Sequence, residues 1–238
     1  MKLTWDDIGS RLYKIGIDKG VLYPMADENY QNGVAWSGLT GVEYSPGGRE
    51  KTILYTGNTK SRILLSPEEY GGTIKAYFYP DAFDPCIGNA TLFDGMILGQ
   101  QDSTPFGLSY RTLIGNGIVG NNYAYQLHVL YESHVITIKD TESTINESIT
   151  PTEFNWTFEC IPVEFMDYSP VSHISIDSRK FSQETMAALQ EALWGTNDSE
   201  PRLLLPNEIY DIILAGLPYE GFPKTGIYPA LDFYPAPQ

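Results

Sequence analysis

Basic residues are scarce: 15 Lys and Arg stand against 30 Asp and Glu, a net charge of −15 over 238 residues. Affinity for nucleic acid rests largely on Lys and Arg neutralising phosphates, so a phosphate-gripping patch is not expected, and an acidic surface repels DNA. Histidine is scarcer still. His128, His134 and His173 are the whole complement, and no two stand at an i, i+4 or Cys-paired ligand spacing. A Ser/His/Asp machine would have to use one of these three, and no G-x-S-x-G elbow accompanies them. Two cysteines, Cys86 and Cys160, make no disulfide framework and read as separate buried thiols. No apolar run approaches about 20 residues, so no membrane span is expected. The stretch Met1 to Asp7 shows no signal-peptide apolar region. Folding in the cytoplasm is the expectation, under which the sequons at Asn89, Asn146, Asn155 and Asn197 are chance matches.

Glycine, proline and tyrosine are abundant, at 22, 16 and 17 residues, while charged residues make up only 19%. That profile suits a turn-rich β protein with interfaces to fill, because Tyr is favoured where a surface is half apolar and half wet. The length accommodates one large domain with a sizeable core that needs neither metal nor disulfide. The chain centres on Gly99 to Tyr131. Phe106, Leu108, Tyr110 and Thr112 alternate with Gly107, Ser109, Arg111 and Leu113. After a Gly/Asn-rich loop, Tyr123, Tyr125, Leu127, Val129 and Tyr131 share one face of an extended run. Period-2 alternation of this length predicts a long antiparallel hairpin.

Elsewhere, Val34–Tyr44 reads as one strand weakened at Gly38 and Gly41, Thr52–Tyr55 and Arg62–Leu65 as strands on either side of a turn at Thr56–Thr59, Thr73–Tyr79 as a strand closed by Pro80, and 81–96 as irregular. Phe154, Trp156, Phe158 and Cys160 give the cleanest alternation, and Ser172–Ile176 a short strand. Helix is predicted only late. Ser182 is a fitting N-cap for a helix to Trp194 with Gly195 as its stop, and a shorter helix fits Asn207–Leu214. The domain is expected to span 1–217. The remaining 218–238 form an extension in which Pro218, Pro223, Pro229, Pro235 and Pro237 alternate with aromatics, which excludes helix and central strand.

Catalytic constellations are weak. Gly115-Asn-Gly-Ile-Val-Gly120 matches G-x-G-x-x-G, yet a tyrosine-rich strand follows where a dinucleotide site needs a helix. Carboxylates such as Asp81, Asp84, Asp94, Glu68 and Glu69 lie in turn sequences, where they serve backbone geometry. No catalytic set, metal or cofactor is expected. Arg111, in an aromatic strand, calls for a carboxylate or ring partner within the subunit or across an interface.

Several motifs together resemble one family. They are Gly20-Val-Leu-Tyr-Pro, Gly33-Val-Ala-Trp-Ser-Gly-Leu-Thr, Gly71-Gly-Thr-Ile-Lys-Ala-Tyr with Tyr79-Pro-Asp, Gly99-Gln-Gln, Phe106-Gly-Leu-Ser-Tyr-Arg, Tyr125-Gln-Leu-His-Val-Leu-Tyr and Ser172-His-Ile-Ser-Ile-Asp-Ser. In order and spacing over roughly 4–210 they look like the major tail, or tail tube, proteins of long non-contractile-tailed bacteriophages of Gram-positive hosts. The resemblance implies a mainly β fold, with two packed antiparallel sheets and one flanking α-helix at about 182–194. It also implies a structural virion protein, not an enzyme, built into stacked six-membered rings that form the tail tube and conduct the genome. Its partners would be other copies of itself and the tape-measure, tail-terminator and distal-tail proteins, with DNA passing through unbound, and its assembly would occur in the host cytoplasm. Within that frame Tyr44–Lys60 is the candidate loop to the next ring, through Arg49, Glu50, Lys51 and Lys60. Arg111, Tyr123 and Tyr125 are the candidate subunit-interface residues. Rival expectations are a carbohydrate-binding β-sandwich, which shares the aromatic, acidic profile, and a β-sandwich hydrolase using Asp81 or Asp84.

Overall fold

The computed structural model describes residues 3, 5, 8–48, 50–66, 68–139 and 151–217. The expected extension at 218–238 and Arg49 lie outside the described residues. In chain order the first strands are β1 (Leu12–Ala26), β2 (Asn29–Tyr30), β3 (Val34–Ala35) and β4 (Leu39–Tyr44). They are followed by β5 (Gly47–Gly48), β6 (Lys51–Thr56), β7 (Thr59–Leu65), β8 (Glu68–Glu69) and β9 (Gly71–Ala76). A 3-10 segment at Asp81–Ile87 precedes β10 (Ala90–Phe93), β11 (Met96–Leu98), β12 (Phe106–Asn116) and β13 (Gly120–Lys139). Then come β14 (Phe154–Cys160), β15 (Val163–Phe165), β16 (Tyr168–Val171), β17 (His173–Asp177) and the helices α1 (Gln183–Trp194) and α2 (Pro206–Gly216).

One nine-stranded sheet carries the fold, in the order β2-β1-β12-β13-β14-β9-β4, with β17 also paired to β13 and β3 to β1. The predicted hairpin is its spine. Ile114 lies opposite Ala124 and Leu108 opposite Leu130, and Asn116 closes the turn by accepting the backbone N–H groups of Ile118 and Val119 at 3.1 and 2.6 Å. At twenty residues β13 outruns its partner, pairing with β17 over 126–130 and with β14 over 133–139. The mainly β class is as expected. The two packed layers are one sheet curled so that β9 and β14 face β1 and β12 across a shared core.

That core, inside the curl, holds Leu22, Trp36, Ile74, Phe83, Phe106, Leu108, Leu130, Trp156 and Phe158. Strict alternation sends the intervening side chains to the opposite face, where Val21, Tyr23, Leu127, Val129 and Tyr131 meet Met186, Leu189 and Leu193 of α1 and Ile209 of α2. Ser182 caps α1 as expected, its Oγ accepting from Thr185 N–H at 3.1 Å. The flanking helix expected at about 182–194 is α1, and α2 lies where the shorter helix was expected at Asn207–Leu214.

Three strand expectations are corrected. Val34–Tyr44 is split in two, because Gly38 takes a φ of +85° and any Cβ there would meet Phe78 at 2.9 Å. The segment 81–96, expected to be irregular, contains the 3-10 turn that plants Phe83 and Cys86 in the core, then the β10–β11 hairpin. Tyr44–Lys60, expected as a loop joining strands, is most of a long hairpin described next, in which the strands expected at 52–55 and 62–65 and the turn at 56–59 are present within β6 and β7.

Candidate assembly surfaces

The β4–β9 ladder ends at Tyr44 and Gly72, and the same two segments keep pairing outward: Gly47 faces Glu69, and Lys51 to Thr56 face Leu65 to Thr59. The arm ends in a two-residue turn, Gly57-Asn58, both with a φ of +59°, the geometry that matches the twist of a tight hairpin. Ile53 is half-buried, and every other residue of β6 and β7 is exposed, including Leu54, Tyr55, Ile63, Leu64 and Leu65. Register places Ile53 beside Ile63 on one face, and Leu54 beside Arg62 with Leu64 nearby on the other. Both faces are therefore partly apolar. An isolated two-stranded hairpin is marginal in water, and exposed apolar surface of this kind marks an interaction site.

Of the expected inter-ring residues, Lys51 and Lys60 lie exposed on the arm strands. Glu50 sits at its base, where its N–H donates to Ser66 Oγ at 2.8 Å and its carbonyl accepts from Ser66 N–H at 3.0 Å. The three residues thus share one projecting element. A second hairpin, β10–β11, also exposes Leu92, Phe93, Met96, Ile97 and Leu98.

Arg111 is engaged inside the subunit. Its Nε and a terminal nitrogen donate to Asp18 Oδ1 and Oδ2 at 2.7 and 2.6 Å, and its guanidinium lies over the rings of Tyr125 and Trp194 at 5.1 and 5.8 Å. The bidentate fork and the stacking explain why Arg stands here and not Lys. Tyr125 is half-buried and accepts a hydrogen bond from Gln190 of α1. Only Tyr123 of the expected interface set is exposed, at 43%.

Sequence reasoning placed His128 in the sheet but missed its partner. Its Nδ1 lies 3.0 Å from His173 Nε2, and the two rings are part of a run of five. Tyr44 stacks on Tyr70 at 4.5 Å, Tyr70 lies 5.0 Å from His173, His173 5.3 Å from His128, and His128 4.6 Å from Tyr110. The run crosses from β4 and the root of the arm to β17, β13 and β12. It floors a cleft of about 620 Å³ whose rims are Lys14, Gly16 and Ile17 of β1 and Thr40, Gly41 and Val42 of β4. Burial, with the second histidine and Lys14 nearby, pushes His128 down to about 3, and burial and Lys14 push His173 down to about 4. Both rings are neutral at pH 7. Burial raises Tyr110 to about 12, so it remains a phenol. The signal that pointed here was pairing register: Tyr110 opposes His128, and a second histidine opens the strand on its far side.

Among the described residues no group of three or more His, Cys, Asp or Glu is arranged to hold a metal ion, and no helix is long and apolar enough to cross a membrane. Asp84 is buried and accepts from Asn89 Nδ2 at 3.1 Å, closing its own turn.

No protein-family model matches the chain, and no curated protein matches it. Among solved structures it is similar to a chain of the sheath–tube complex of an extracellular contractile injection system in its extended state. The identity is 12%, the match covers 67% of this chain and 88% of that one, and the TM-score is 0.34. Likeness at that level carries no argument about function.

Proposed function

We propose that this chain is a structural subunit that self-assembles into stacked hexameric rings, forming the tail tube of a long non-contractile-tailed bacteriophage of a Gram-positive host, through which the genome passes. The observation that carries this reading is the β6–β7 arm, an apolar hairpin projecting from the body that its own subunit leaves exposed. A protein working alone has no use for such an arm, whereas a subunit of a polymer does. Fully burying each Leu or Ile there against a neighbour contributes about 1.5–3 kcal/mol. The arm is also basic, with Lys51, Lys60 and Arg62 against Glu50, on a chain of net charge −15. Opposite charge between arm and neighbouring body sets register and speeds encounter. Tyr123 and the exposed turn at Ile118 and Val119 extend the candidate contact surface.

In this reading the protein is not an enzyme, carries no cofactor, and meets the tape-measure, terminator and distal-tail proteins at the ends of the tube. The acidic charge suits a bore that conducts DNA without holding it. Residues 1–217 form the body and 218–238 an appended segment. Analytical ultracentrifugation across a concentration series tests it: the wild type polymerises, while Arg49→Glu/Lys51→Glu remains a folded single ring or monomer. Equal polymerisation of the two would remove the arm from the mechanism.

A further inference from the structure

The β10–β11 hairpin and the cleft belong to different ends of the curled sheet. The 3-10 turn at Asp81–Ile87 packs Phe83 against Phe106, the first residue of β12, with ring centroids 5.3 Å apart. The hairpin is rooted at that end, where Gln101 N–H donates to the Gly88 carbonyl at 2.9 Å and Thr104 N–H to the Pro85 carbonyl at 3.0 Å. The cleft is floored by Tyr110 and Thr112 and rimmed by Lys14, which stands opposite Ile114. At about 3.4 Å per residue, Thr112 lies about 20 Å along β12 from Phe106. Residues 90–98 are all exposed, and none of them lines the cleft of its own subunit.

Each feature lacks what the other supplies. A two-stranded hairpin is marginal alone in water, and this one exposes Leu92, Phe93, Met96, Ile97 and Leu98 around an Asp94-Gly95 turn. Lys14 is the one charged residue lining the cleft, and it makes no ion pair among the described residues. On the floor, His128 Nε2 is buried without a hydrogen-bond partner. The ladder of β1 over 12–18 lies on its β12 side and that of β4 on its β9 side, so each turns an unpaired strand edge toward the gap. With a 3.3 Å rise, strands about 4.8 Å apart and about 10 Å between packed layers, 620 Å³ holds about four residues, the length of the hairpin tip. We propose that Phe93–Met96 of one copy inserts into the β1–β4 cleft of the next, with the Asp94 carboxylate at Lys14 and Phe93 and Met96 against the tyrosine rings.

Charge and packing select this hairpin among the exposed tips. The β6–β7 turn is flanked by Lys60 and Arg62, which Lys14 repels. The β12–β13 turn presents Ile118 and Val119 without a carboxylate. The β15–β16 hairpin carries Asp167 but is held to its own subunit, with Phe165 stacked on Tyr168 at 5.4 Å and edge-on to Tyr210 of α2 at 6.4 Å. Because hairpin and cleft are different surfaces, the contact is heterologous, and its repetition closes a ring or continues as an open stack. The inference extends the self-assembly reading above, yet it asks nothing of the β6–β7 arm or of the number of subunits in a ring.

The test mixes two full-length variants in equal amounts, Gly41→Cys and Met96→Cys, oxidises them mildly and maps the disulfides by mass spectrometry. A Cβ at the rim residue Gly41 meets nothing within 4 Å and Met96 is exposed, so both changes are accommodated. Near-UV circular dichroism verifies that each variant is folded. A link between position 41 of one chain and position 96 of another is expected, with Tyr168→Cys in place of Met96→Cys as the proximity control. Asp94→Lys in the Met96→Cys chain, or Lys14→Glu in the Gly41→Cys chain, lowers the yield about tenfold, and the two together restore it, as expected for an attractive charge pair. Asp167→Lys in place of Asp94→Lys does not restore it. A 41–96 yield no greater than the 41–168 yield, or one indifferent to the charge changes, overturns the proposal. Electron microscopy of the wild type reads the tube separately: tubes without the link overturn this contact alone, and the link without tubes supports this contact and overturns the tube.

Discussion

His128 Nδ1 and His173 Nε2 lie 3.0 Å apart in neighbouring strands, within a run of five rings in contact that ties the root of the arm to the centre of the sheet. At most one of the two can donate in that bond, so at least one ring is an acceptor and neutral. Lys14 faces both, and Tyr70 and Tyr110 flank them. No carboxylate is among the residues lining the cleft.

Acid therefore destabilises the protein through this pair. Both folded-state values, about 3 and about 4, lie below the ordinary 6.5. Below pH 6.5 the unfolded chain binds protons that the folded chain refuses. The stability is fully present above that pH and is lost as pH falls toward the folded values. Each histidine contributes a slope of up to about 1.4 kcal/mol per pH unit. Thermal melts from pH 7 to pH 4.5 on wild type and His128→Phe/His173→Phe check this: the variant loses clearly less of its melting temperature. Parallel curves would place the acid sensitivity elsewhere.

Arg111 joins four elements, with Asp18 on β1, its own β12, Tyr125 on β13 and Trp194 at the end of α1. Arg111→Ala should cost about 2–3 kcal/mol, since it strips a half-buried carboxylate of its partner and removes ring packing. A double-mutant cycle with Asp18→Asn, read by urea denaturation, should return a coupling of about 1–2 kcal/mol. A coupling near zero would mean that ring packing alone accounts for the residue.

Gly72 lies at the root of the arm, where an added Cβ would stand 2.0 Å from the Glu43 carbonyl oxygen. A backbone atom cannot step aside as a side chain does, so Gly72→Ala must part β4 from β9. The expected loss is at least about 2 kcal/mol, from strain and broken ladder bonds. Hydrogen exchange should show it first in Gly71–Ala76, and unchanged protection there would contradict the geometry.

Cys86 and Cys160 are free thiols, and burial raises both to about 11. Ellman's reagent at pH 8 should titrate neither in the native protein and both after denaturation. Rapid native labelling of either would show that its surroundings open.

Much of this fold is legible in the sequence because its elements are locally specified. The alternation at 106–131, the Gly/Asn turn between its arms, and Ser182 and Gly195 at the ends of α1 each carry their own signal. The thiols were also read correctly as unpaired. What the sequence did not show depends on register between distant strands. Nothing near His128 announces His173, 45 residues later, and nothing near Asp18 announces Arg111. The arm was partly legible. Its strands at 52–55 and 62–65 and the turn at 56–59 carry local signals, whereas Ser45-Pro-Gly-Gly is turn chemistry and hides the pairing of Gly47 and Gly48 with Glu69 and Glu68 that joins the arm to the sheet.

Negative-stain electron microscopy of purified protein across a concentration series, beside Leu54→Glu/Leu64→Glu, tests the central claim most directly. Both altered positions are exposed, so the variant should melt within about 0.5 kcal/mol of the wild type. The account predicts rings and hollow tubes for the wild type and none for the variant. Tubes formed equally well by both, or a wild type that stays dispersed at every concentration, would contradict it.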